Sequence, residues 1–150
     1  MQFDLSVKIR RTPTEALAFM ADIQRYNDDG TGSRVPVMEK IPAGPTRVGT
    51  RWREVVRVAP FLRMTIWSEV TAYEPARRLA ESFRSSWMSG VLEYTVEPTA
   101  DGTLLRQRET LTPRGPLRLL DGLIARPLRP NLVGRLEEIR ALLESGVAVE

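Results

Sequence analysis

The chain has 150 residues, of which 27% are charged and none is histidine or cysteine, with a formal charge of +3. Those absences exclude disulfides, thiolate metal sites, histidine bases and Ser-His-Asp or HExxH centres, so any chemistry rests on carboxylates, tyrosine, arginine, lysine, serine or the backbone. The positive charge is 20 arginines against 2 lysines, with no basic run of five or more, so a nucleic-acid partner is not expected.

The length suits one domain, 1–150, able to bury a sizeable core. No apolar run approaches eighteen residues, so no integral membrane segment is expected. Asp4, Lys8 and Arg10 interrupt any signal-peptide core. A cytoplasmic location is the simple expectation.

Taken in chain order, Phe3, Leu5, Val7 and Ile9 alternate with polar residues and predict a strand with one buried face. Thr12-Pro13 then caps a helix whose Ala16, Leu17, Phe19 and Met20 fall at helical spacing. QRYNDDGTGSR reads as a solvated loop, since Asp28 and Asp29 lack calcium-loop spacing and GTG is no phosphate fingerprint. A short apolar segment, VPVMEKI, follows.

Two long strands are predicted over 50–59 and 61–75, joined at Ala59-Pro60. The first puts Trp52, Glu54, Val56 and Val58 on one face. The second puts Leu62, Met64, Ile66, Ser68, Val70 and Ala72 on one face, and Trp67, Glu69 and Tyr73 on the other. Turns are expected at Pro75-Ala76-Arg77 and at 86–90. Strands over 90–98 and 103–111 are joined by the Asp101-Gly102 hairpin signal. From Pro116 to about Ser145 an apolar stripe runs through Leu117, Leu120, Ile124, Leu128, Leu132, Leu136, Ile139 and Leu143. Pro127 and Pro130 would break or kink that helix, and Gly146 would end it.

The order strand, helix, several strands, long helix implies an antiparallel meander covered by the terminal helix, an α+β fold. The phrases FDLSVKIRRTPTEALAFMADI, VGTRW, IWSEVTAYEPARRLAES and GVLEYTVEPTADGTLL resemble the polyketide cyclase/dehydrase branch of the START-like (SRPBCC) superfamily, which shares the birch-pollen-allergen fold. The resemblance implies a helix-grip domain: a curved antiparallel sheet of about six or seven strands wrapped on a long C-terminal helix. It also implies a cavity between sheet and helix for a lipid, polyketide or quinone-like molecule, and supplies no catalytic set.

On the inward face Glu54, Gln107 and Glu109 stand among apolar residues, where a carboxylate is costly unless paired, hydrated or protonated. They are candidates to meet a ligand hydroxyl or carbonyl, provided the register holds, because a one-residue slip exchanges the faces. Trp52, Trp87 and Tyr94 are aromatic candidates for the wall. Met64, Ile66, Leu92, Leu120, Ile124 and Leu128 complete the expected ligand-binding set. Arg51, Arg53, Arg57, Arg63, Arg106 and Arg108 are expected on the outer face, paired with Glu69, Glu93 and Glu97.

The favoured function is non-catalytic binding of a hydrophobic or amphipathic small molecule in a cavity of roughly 300 Å3 or more. The alternatives are a polyketide cyclase, aromatase or dehydratase using a cavity carboxylate or Tyr94, and a module docking to a partner or membrane through Trp67 and the arginine-rich sheet face. No cofactor and no metal are expected, and a homo-oligomer stays open.

Overall fold

The computed structural model describes residues 1–23 and 37–146; the QRYNDDGTGSR segment, with Asp28 and Asp29, lies outside them. Seven strands form one antiparallel sheet: β1 (Gln2–Ile9), β2 (Val37–Ile41), β3 (Arg51–Ala59), β4 (Leu62–Glu74), β5 (Arg78–Arg84), β6 (Met88–Thr99) and β7 (Gly102–Pro113). Their spatial order is β1-β7-β6-β5-β4-β3-β2, a meander from β2 to β7 with β1 added at the far edge. Helix α1 (Pro13–Ala21) follows β1. A 3-10 helix (Gly115–Leu120) leads into the 24-residue helix α2 (Asp121–Glu144). This is the expected helix-grip α+β architecture, with seven strands.

Alternation decides which face of β1 is buried, and Phe3, Leu5, Val7 and Ile9 all point into the core. At the turn that follows, the Thr12 hydroxyl accepts the Glu15 N–H while the Glu15 carboxylate accepts the Thr12 N–H, a complete capping box. Pro13 occupies the first turn, where no backbone donor is needed. Helix α1 then buries Ala16, Leu17, Phe19 and Met20 in the core shared with β5, β6 and β7.

Two glycines are dictated by close approach. Gly102, at φ +152°, lies so near the backbone that a Cβ would strike the Ile9 carbonyl oxygen. Gly90 lies under the Phe83 ring, its cross-strand partner, and a Cβ there would also overlap the Thr110 carbonyl. The bend expected over 86–90 is therefore shorter: β6 begins at Met88, and Ser89 and Gly90 already pair with β5 and β7.

A register shift between Val70 and Ala72 inverts the alternation along β4. Ile66, Ser68 and Val70 keep the expected inward parity, but beyond the bulge it is Tyr73, not Ala72, that packs against the core. The outer face carries cross-strand ion pairs, Arg53–Glu39, Arg78–Glu93, Arg106–Glu97 and Arg108–Asp4, which solvent screening leaves weak in such exposed surroundings.

Helix α2 departs from expectation in its first half. The α-helix starts at Asp121, five residues after Pro116, and runs through both Pro127 and Pro130. The carbonyls that lose their donors belong to Leu123 and Arg126, both exposed residues, so the loss falls on the solvent side of the helix. Only Leu136, Ile139 and Leu143 are fully buried, each contributing roughly 1.5–3 kcal/mol. The C-terminal end is also pinned by polar contacts. Arg11 Nε donates to the Leu143 carbonyl at 2.9 Å, and the Arg10 N–H donates to the Glu144 carboxylate at 3.1 Å. The chain then leaves the helix through Gly146 at φ +81°.

Helix α2 is thus held from one end. Ile139→Ala should cost about 2–5 kcal/mol in urea denaturation, whereas Leu123→Ala should stay within about 0.5 kcal/mol. Equal costs would contradict one-ended packing.

Candidate functional site

Between the concave face of the sheet and the second half of α2 lies a pocket of about 240 Å3, open to solvent. That is smaller than the roughly 300 Å3 expected for a drug-sized ligand. Its apolar lining comes from Ile66, Phe83, Leu92, Leu132 and Ile139 with Ile23, and its polar lining from Glu54, Ser68, Glu81, Tyr94, Gln107, Glu109 and Arg135.

Strand register explains why these residues meet. One inward row crosses β4, β5, β6, β7 and β1 as Val70–Glu81–Leu92–Glu109–Phe3. The next runs Leu79–Tyr94–Gln107–Leu5. Leu92 therefore separates the two carboxyl groups by two inter-strand spacings, roughly 10 Å of backbone. Tyr94 stands one row further along, facing both. Glu54 enters from β3 opposite Ile66, and Arg135 projects from α2, one turn before Ile139.

The electrostatics follow from burial. Glu109 is 8% exposed, and desolvation holds its carboxyl above the usual range despite the hydrogen bond that Gln107 Nε2 donates to it at 3.0 Å. Tyr94 is buried, and desolvation raises its phenol, with the Glu81 and Glu109 charges adding and Arg135 opposing. Tyr94 thus remains protonated at neutral pH and keeps an O–H to donate. Among the described residues lining the pocket are three carboxyl groups and one guanidinium, so acceptors outnumber cationic donors there.

Of the residues expected at the site, Glu54, Ile66, Leu92, Tyr94, Gln107 and Glu109 line this pocket. Trp52, Met64, Trp87, Leu120, Ile124 and Leu128 do not. Trp52 is fully buried toward α1, where Lys40 Nζ lies 5.1 Å from its ring centre and binds Asp22 at 2.7 Å. Its indole N–H has no hydrogen-bond partner among the described residues. Met64 lies toward the β3–β4 turn, beyond the pairing with β5 that ends at Trp67–Arg84. Trp87 is exposed in the β5–β6 turn and Leu120 is exposed in the 3-10 helix. Ile124 and Leu128 are half-buried in the first half of α2, short of the pocket.

Sequence reasoning placed Ser68, Leu132 and Ile139 on inward faces without assigning them to the site, and missed Glu81, Phe83, Ile23 and Arg135. Leu79, Glu81 and Phe83 alternate as an inward face should, and Arg135 falls three residues after Leu132 and four before Ile139. Among the described residues no cluster of three or more metal-ligating side chains occurs, and no helix is long and apolar enough to cross a membrane.

A curved seven-stranded sheet gripping a C-terminal helix over a mixed polar and apolar pocket defines a helix-grip protein. The sequence matches the family described as polyketide cyclase/dehydrase and lipid transport over residues 1–144, and the chain belongs to that family. No curated protein sequence matches it. Among solved structures it is similar to TTHA0849 from Thermus thermophilus, with 16% identity, TM-score 0.75, and 97% of this chain and 99% of that one covered. It is similar to Mll3558 from Rhizobium loti, with 17% identity, TM-score 0.73 and coverage of 94% and 95%. It is also similar to Ara h 8.0201, with 11% identity, TM-score 0.69 and coverage of 100% and 99%. At these identities the likeness shows the fold alone.

Because folded Glu109 holds its proton more tightly than the unfolded chain does, its contribution to stability is present below about pH 4.5 and is lost as pH rises through the folded value. Glu109→Gln should therefore match the unsubstituted protein in stability at pH 4 and exceed it at pH 7, as read by thermal or urea unfolding. A variant less stable at pH 7 than at pH 4, relative to the parent, would contradict this.

Proposed function

We propose that the pocket binds a compact hydrophobic molecule, or the compact end of a longer amphipathic one, whose hydroxyl groups point toward Glu81, Glu109 and Tyr94. One observation carries this reading: apolar Leu92, Leu132 and Ile139 share a single open pocket with buried carboxyl groups held by strand register. Apolar walls remove the body of a ligand from water at about 25 cal/mol per Å2. Polar groups set among those walls then fix its orientation, because a hydroxyl donating to a carboxylate replaces the water it loses.

Family membership supports binding of a hydrophobic molecule without naming one. The size of the pocket supports a ligand of one or two fused rings, with any tail leaving beside the first half of α2. A cytoplasmic setting fits a chain without cysteine.

The test is titration with 2-naphthol, a neutral fused-ring phenol, against 2-methoxynaphthalene, which keeps the rings but donates no hydrogen bond. 2-Naphthol should bind about tenfold more tightly, and Leu92→Trp, which fills the space between Glu81 and Glu109, should abolish the difference. Equal affinities, or binding untouched by Leu92→Trp, would overturn the reading.

A further inference from the structure

We infer that the end of the molecule where α2 begins docks onto an anionic lipid surface. Among the described residues three segments meet there by topology: the β3–β4 turn, the β5–β6 turn, and the stretch from the end of β7 through the first turns of α2. Ten large apolar residues are exposed among the described residues, and six belong to these segments: Phe61, Leu62, Trp87, Leu119, Leu120 and Leu123. Phe61 and Leu119 are 90% and 91% exposed, which packing of the core does not require.

Among the described residues of these segments the charge is predominantly positive. Arg57, Arg63, Arg84, Arg114, Arg118, Arg126 and Arg129 accompany a single acid, Asp121, so these stretches carry +6 while the whole chain carries +3. All seven arginines are exposed. None forms an ion pair among the described residues; Arg114 and Arg118 donate only to backbone carbonyls, of Ser85 and Pro113. On the outer sheet face, by contrast, Arg53, Arg78, Arg106 and Arg108 each have a carboxylate partner. Of the six arginines expected on the outer sheet face, Arg53, Arg106 and Arg108 are paired, while Arg57 and Arg63 belong to the end of the sheet near the start of α2.

Exposed leucine, phenylalanine and tryptophan set among unpaired guanidiniums suit the boundary of a bilayer. The apolar side chains enter the acyl region and the arginines meet phosphates. A nucleic acid would satisfy the arginines but leave the apolar side chains in water. The occupant favoured by both features together is a membrane rich in anionic lipid. The surface is distinct from the pocket, and docking does not depend on what the pocket holds.

The experiment is co-sedimentation of the full chain with phosphatidylcholine vesicles, with and without phosphatidylglycerol, at about 0.15 M salt. Binding should require phosphatidylglycerol and disappear near 1 M salt, where charges are screened within about 3 Å. Each arginine near the surface contributes roughly fivefold, so joint replacement of Arg118, Arg126 and Arg129 by Gln should lower partitioning about a hundredfold. Leu119→Ser with Leu123→Ser should also lower it, while Arg106→Gln with Arg108→Gln should leave it unchanged. No binding, equal binding to neutral vesicles, equal loss in the Arg106/Arg108 control, or tighter binding to duplex DNA than to anionic vesicles would overturn the inference.

Discussion

The rest of the structure depends on how α2 is held. Leu136, Ile139 and Leu143 sink into the concave face, and Arg10 and Arg11 fasten the last turn to the end of β1. Among the described residues nothing comparable holds the first turns, where Ile124 and Leu128 are only half-buried. The pocket lies beside the buried half of the helix, and exposed Leu119, Leu120 and Leu123 lie at its other end.

What lines the pocket is set by strand register. Because neighbouring strands place partners side by side on one face, the inward row Glu81–Leu92–Glu109 interleaves carboxyl groups with a leucine. Two adjacent buried carboxylates would repel strongly. Here the intervening strand separates them, and Gln107 supports Glu109 from the same strand. Tyr94 keeps its proton because its surroundings disfavour a further negative charge. The result is a pocket in which polar and apolar groups alternate across the strands.

Much of this was legible in the residues themselves. Period-two alternation in β1, β6 and β7 identifies the buried face directly, and with it the inward setting of Gln107, Glu109 and Tyr94. Tyr73 was not legible, since a bulge in β4 reverses the faces without any glycine to announce it. Glu81 shares its strand face with Leu79 and Phe83, yet a lone carboxylate in a short strand gives no sign of which pocket it enters. The long apolar stripe of α2 reads as uniformly buried from Leu117 to Leu143. Spacing specifies the face of a helix but not how far along its length a sheet will cover it, so Leu120, Ile124 and Leu128 were expected in the pocket and lie outside it.

Amide hydrogen exchange along α2 tests the one-ended attachment most directly, because local opening follows the burial and contacts of each turn. The expected result is rapid exchange over 124–133 and exchange at least about a hundredfold slower over 136–143. Uniform protection along the whole helix would mean that its first half is packed as firmly as its second, and would contradict the one-ended attachment.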